Sequence, residues 1–197
     1  MTQYARPNSD GLFQYWSGSY TDIDEVTYSD ADYITGDEDE NGTSQVGLSN
    51  VTDPNSSVGH TVKFRAWQED QADQRTLKVE LLQGSTVIST YTAFNLVKGT
   101  PTAYSWTLSS GEADNITDYT DLVLRFTSAG DVTPPPATRA FVYVSWAVLE
   151  VPDAGTTYYE TPLGVLTPAN ALIKKPHKLE SGSSTPAGAL SKKTAFR

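Results

Sequence analysis

Arg139-Ala140-Phe141-Val142-Tyr143-Val144-Ser145-Trp146-Ala147-Val148-Leu149-Glu150-Val151 is the most apolar run in the chain, and Pro152 closes it. It is rich in β-branched and aromatic residues and holds no internal Gly or Pro, so it reads as one long strand lying mid-sheet with neighbours on both sides. Strict alternation places Phe141, Tyr143, Ser145, Ala147 and Leu149 on one face and Val142, Val144, Trp146 and Val148 on the other. A strand of this kind needs partners, and the residues before it supply them. Short runs of Val, Thr, Tyr, Phe and Trp alternate with Gly, Asn, Asp and Ser clusters, and the spacing predicts strands near Leu12 to Trp16, Ser19 to Glu25, Asp32 to Thr35, Ser44 to Leu48, His60 to Gln68, Thr76 to Gln83, Thr86 to Thr92, Ala103 to Leu108 and Leu122 to Thr127.

Ten strands in about 140 residues make an all-β antiparallel sandwich, jelly-roll-like, over residues 1–153. Val62, Phe64 and Ala66 share one face against Lys63, Arg65 and Trp67, and Leu77, Val79 and Leu81 oppose Lys78, Glu80 and Leu82. Gln83-Gly84-Ser85-Thr86 joins two such runs as a hairpin turn, which makes them antiparallel neighbours. The one helical signal is Ser109 to Ile116, where Ser109 and Glu112 have capping-box spacing. Pro134, Pro135 and Pro136 mark an exposed loop before the long strand.

Beyond the sandwich, residues 154–197 read as an extended, basic, Pro/Ser/Lys-rich arm. Gly164 to His177 (GVLTPANALIKKPH) returns eighteen positions later as Gly182 to Ala195 (GSSTPAGALSKKTA), with eight of fourteen positions identical. Pro168, Pro176 and Pro186 each remove a backbone donor and force the preceding residue toward extended geometry, so the arm builds no core of its own. From Thr161 onward six cations face Glu180, a net charge of +5, which leaves −15 on the first 160 residues out of a total of −10. An acidic body with a basic tail suggests electrostatic docking onto a neighbour. Leu166, Pro168, Leu172, Lys174, Lys175, Pro186, Leu190, Lys192, Lys193 and Phe196 are the expected assembly contacts of this arm.

Composition excludes several kinds of chemistry. There is no cysteine and there are only two histidines, His60 and His177, so neither a thiolate nor an imidazole-rich metal site is available. We expect no cofactor and no metal. Asp37-Glu38-Asp39-Glu40-Asn41-Gly42 copies the first half of a calcium loop, but Leu48 stands where the closing carboxylate belongs, and an acidic surface turn is the better reading. Asp22, Asp24, Glu25, Asp30 and Asp32 are close in sequence; if Ile23 points inward, Asp22 and Asp24 share the solvent face and could hold a calcium ion together, although no ion is the better reading. The body has only eight Lys and Arg, too few to wrap nucleic acid, and no apolar run is long enough to cross a membrane. The N-terminus shows no export signal, so synthesis in a cytoplasm is expected. His60 has no G-x-S-x-G nucleophile near it, and among 24 acidic residues some carboxylate pair at glycosidase spacing arises by chance, so no enzyme is indicated. Tyr15, Trp16, Tyr20, Tyr28, Tyr33, Trp67, Tyr91, Tyr104, Trp106, Tyr119 and Trp146 can form either a core or a sugar-stacking platform. Tyr143, Trp106 and Trp146 sit inside alternating strands and read as core, whereas Trp67, beside Gln68, Glu69 and Asp70, is the better candidate for an exposed contact, with a glycan or with a neighbouring subunit.

Several segments carry a resemblance: Arg6-Pro7, Tyr20 to Glu25, Asp30 to Ile34, Ser49 to Lys63, Leu108 to Phe126 and Val144 to Pro152. Together they resemble a β-sandwich module recurrent in structural proteins of tailed bacteriophages. Leu166 to Leu172 and Thr185 to Leu190 are similar to the LTPAGAL-type repeats that follow such modules. The resemblance carries no catalytic motif. It implies a non-enzymatic virion part, first a capsid decoration or cement protein docked through its arm, and alternatively a tail or fibre component with a glycan-binding sandwich. The implied partners are other virion proteins, whether the major capsid protein, tail proteins or a second copy in a lattice.

Overall fold

A computed structural model describes residues 1–130 and 139–154. Among these residues the order is β1 Thr2–Ala5, β2 Pro7–Gln14, β3 Trp16–Ser17, a 3₁₀ turn Tyr20–Asp22, β4 Ile34–Gly36, β5 Thr43–Leu48, β6 Thr61–Gln68, β7 Thr76–Gln83, β8 Thr86–Asn95, β9 Thr102–Thr107, α1 Ser110–Ala113, β10 Leu122–Ala129 and β11 Val142–Pro152. Two antiparallel sheets face each other, ordered β3-β4-β11-β6-β9, with β1 also pairing β11, and β2-β5-β10-β7-β8. This is the expected antiparallel sandwich. The arm and its named contacts, like the triple-proline loop, lie outside the described residues.

The core sits between the sheets because the strands alternate as their sequences dictate. Val62, Phe64 and Ala66 point inward and are fully buried, and they meet Leu77, Val79, Leu81, Leu124 and Phe126 from the other sheet. Phe64 is the hub. Its ring stacks on Tyr104 at 5.3 Å and meets Phe126 across the core at 6.5 Å. Such ring pairs add specific geometry to the burial of a large apolar area. The β7–β8 hairpin forms as read, with Gln83 opposite Thr86 and Gly84 at φ +56, a conformation that disfavours a side chain. Ser109 caps α1, and its capping box with Glu112 is complete.

Three expectations need correction, and one strand was not read from the sequence. Ser19 to Glu25 is no strand: Ser19 and Asp22 close a capping box around the 3₁₀ turn, while Asp10 accepts from Tyr20 N at 2.6 Å, so local polar bonds outcompete a ladder. The segment Thr2–Ala5, too polar to stand out by pattern, forms β1 against β11. The Leu12 to Trp16 run is broken at Tyr15, whose φ of 57 separates β2 from β3. Finally, β11 does not alternate strictly. Its register slips between Val144 and Trp146, so Ser145 is a bulge and the inward set changes from Val142 and Val144 to Ala147, Leu149 and Val151. Ile23 fills the resulting gap along the β11 edge between β4 and β1: it is fully buried, and its carbonyl accepts from Ala147 N at 3.2 Å.

Candidate functional site

Strict alternation sets Tyr143 and Trp146 on opposite faces, and both were read as core; the bulge brings them to the same, outer face. Tyr143 and Trp146 both face away from the opposite sheet. A cross-strand row on that outer face reads Ser17, Thr35, Tyr143, Trp67. Trp67 stacks on Tyr143 at 5.0 Å, and Tyr33 stands edge-on to both, at 5.7 and 4.9 Å. Trp67 is therefore no open contact: only 8% of it is exposed, because Tyr33 and Tyr143 enclose it. Burial, with Glu69 adding to it, pushes the Tyr143 hydroxyl above its ordinary pKa and keeps it a neutral donor. Trp146 donates from Nε1 to Glu25 O at 2.8 Å and meets Tyr28 at 6.3 Å.

At the end of this row the aromatic layer opens. Tyr15, Trp16, Ser17, Thr35, Asp37 and Phe141 line a cavity of about 150 Å³. Trp16 forms its inner wall, seated so closely between two glycines that a Cβ on Gly36 or Gly42 would come within 2.9 Å of the indole. Tyr15 flanks the mouth, 49% exposed and held in a left-handed conformation that a tyrosine rarely adopts. Its carbonyl accepts from Asp37 N at 2.9 Å, which ties the ring's backbone to the carboxylate across the cavity. Phe141, 6.4 Å from Tyr143, joins the opening to the covered aromatic row. The site thus offers the rings of Tyr15, Trp16 and Phe141, the hydroxyls of Tyr15, Ser17 and Thr35 and the Asp37 carboxylate, on or beside strands.

Asp37 also begins the run that mimics a calcium loop. Its carbonyl oxygens have another use: Asp37 O, Glu38 O and Glu40 O accept from the Arg75 guanidinium at 3.2, 3.2 and 2.8 Å. Arg75 is completely buried, with Asp73 Oδ2 at 3.8 Å, and an arginine side chain sits where such a loop would hold an ion. Burial pulls its pKa below the usual arginine range, opposed by Asp73. Arg139 pairs with Asp39 on the outside. No group of three or more His, Asp or Glu among the described residues is arranged to hold a metal. The acidic turn is thus fastened from within, and this fixes Asp37 at the cavity.

The remaining sequence candidates are accounted for elsewhere. Asp22 is occupied as a cap, and Asp30 bridges to Arg65 at 2.6 and 2.7 Å. His60 is buried, and its Nε2 lies 2.8 Å from the Tyr119 hydroxyl, with no nucleophile beside it. Burial depresses the imidazole pKa, and desolvation with nearby Asp53 pushes Tyr119 up to about 12. Trp106 is half-buried against the core and donates to Ser89 Oγ. Asp37 was read only as the start of the calcium-loop mimic and Phe141 only as a residue of the long strand, so neither was read as part of a cavity. Their only signal was the tyrosine–tryptophan pair at a strand break followed by an acidic turn.

No protein-family model and no curated protein matches the sequence. Solved structures with a similar course include CBM35 from Paenibacillus barcinonensis, at 13% identity and TM-score 0.43 over 78% of this chain and 99% of that one. The xylan-binding module CBM15 matches at 11% identity and TM-score 0.45 over 77% and 92%. CBM29_1, a family 29 carbohydrate binding module from Piromyces equi, matches at 14% and 0.35 over 77% and 92%.

Proposed function

We propose that the sandwich is a non-catalytic glycan-binding module whose site is the Tyr15–Phe141 cavity. The observation that carries this reading is the cavity's composition. Sugar rings present an apolar face and a rim of hydroxyls, and here the exposed Tyr15 ring and the half-buried Phe141 ring stand beside Ser17, Thr35 and Asp37 for the rim. A carboxylate accepting from sugar hydroxyls makes charge-assisted bonds, stronger than neutral pairs. The strained Tyr15 backbone costs about 1–3 kcal/mol, and strain of this kind is kept where the surrounding structure enforces it for a purpose.

The resemblance to phage virion modules supplies the setting: a tail or fibre component of the particle, its arm docked on neighbouring virion proteins. The decoration or cement reading rests on the arm alone and has less support. The test begins with a glycan array on the full chain. Tyr15→Ala and Phe141→Ala should each abolish the captured signal while thermal unfolding shifts little, and retained binding in both variants would reject the site. Deletion of residues 161–197 should spare glycan binding and abolish incorporation into particles.

A further inference from the structure

The outer face of the β2-β5-β10-β7-β8 sheet carries a second candidate. Two cross-strand rows run over it: Gln14, Thr43, Thr127 and Lys78 in one, and Gln45, Arg125 and Glu80 in the other. With Leu12 at the rim they bound a groove of about 380 Å³. Each row sits on rigid strands, and the longer one spans roughly 14 Å at ordinary strand spacing. Among the described residues, the side chains of Gln14, Thr43, Gln45 and Thr127 make no hydrogen bond within the protein. Their donors and acceptors are thus open to a ligand.

Charge singles out the same place. Lys63, Arg65 and Arg139 each pair with a carboxylate of their own, Glu150, Asp30 and Asp39. Arg6, Arg75 and Lys98 spend donors on backbone carbonyls. Lys78 and Arg125 instead share one carboxylate, Glu80, at 3.1 and 2.8 Å, which leaves a net positive spot in a strongly acidic domain. Glu80 holds Arg125 through Nε alone. The two Nη groups remain a planar pair, the geometry that takes a carboxylate bidentately. A peptide would need an apolar anchor, and the groove provides only Leu12.

We propose that this groove binds a carboxylated sugar, a uronate residue of a polysaccharide, with Arg125 and Lys78 on the carboxylate and the Gln and Thr side chains on hydroxyls. The site lies on the other sheet from the aromatic cavity and stands or falls without it. The experiment is calorimetric titration of the full chain with galacturonate and glucuronate oligomers and with their uncharged counterparts. One uronate oligomer should bind, its neutral counterpart should bind at least about tenfold more weakly, and Arg125→Gln and Lys78→Gln should each cost about tenfold in Kd. Tyr15→Ala should leave uronate binding unchanged, which separates this groove from the cavity. Lys78 is 37% exposed, so its variant keeps the fold even if truncating Arg125 strands the Glu80 charge. Equal affinity for the neutral oligomer, unchanged binding in Lys78→Gln, or no uronate binding by the native chain overturns the proposal.

Discussion

On the outer face of the β3-β4-β11-β6-β9 sheet, residues 24–33 lie across the strands and are fastened to them. Arg65 grips Asp30 and lies over the Tyr28 ring at 4.4 Å, Trp146 binds Glu25 O, and Tyr33 closes over Trp67 and Tyr143. On the outer face of the other sheet, the same position is occupied by amides, hydroxyls and one ion triad, open to solvent. An aromatic surface left open is an association hazard, whereas a polar one is not. The contrast explains why one face needed a strap and the other did not. It also makes the uncovered stretch at Tyr15 and Phe141 informative, because there the strap stops and the aromatic residues remain.

The largest expected effect that separates the two faces comes from Arg75→Leu. The substitution leaves the carbonyls of Asp37, Glu38 and Glu40 without their donor, and stability should fall by about 3 kcal/mol in urea unfolding. Asp37 would lose its anchor, so glycan binding at the cavity should weaken while uronate binding at the groove holds. Parallel loss of both would merge the two sites into one.

A smaller effect, blind to the faces, follows from His60. Its folded-state pKa is depressed by burial, so below about pH 6.5 the unfolded chain takes up a proton that the folded one refuses, and stability falls as pH drops. Urea midpoints between about pH 5 and 7 should show this slope in the native chain and a flatter one in His60→Gln. An unchanged slope would move the titration to another group.

The smallest is Asp30→Asn, expected at about 1 kcal/mol because the pair is partly exposed. Hydrogen bonding to Arg65 holds the Asp30 carboxyl below its ordinary value. The strap's contribution is thus complete above about pH 4 and is lost as pH falls through the lowered folded value. Tyr28 fluorescence or proteolysis within residues 24–33 should report loosening in the variant, with the groove unaffected.

Legibility in the sequence followed burial. Strands β6, β7 and β10 were readable because inward Val62, Phe64, Leu77, Val79, Leu124 and Phe126 alternate with outward Lys63, Arg65, Lys78, Glu80, Arg125 and Thr127, and the α1 cap was readable because Ser109 and Glu112 act locally. β1 was not, since its pairing is with residues about 145 positions away and its own composition is plain. The bulge at Ser145 was equally hidden: one extra residue in a continuous apolar run changes no composition, yet it reverses the facing of Tyr143 relative to Leu149. That single slip hid the outer aromatic row, and with it the cavity. Trp67 misled for a related reason, its charged neighbours suggesting solvent where Tyr33, distant in sequence, supplies a cover.

The most direct test of the glycan-binding reading is the structure of the full chain with the tightest-binding neutral oligosaccharide found on an array. A sugar ring should sit between Tyr15 and Phe141, with the Asp37 carboxylate accepting from one of its hydroxyls. A ring seated anywhere else on the sandwich, or an array without a ligand, contradicts the account.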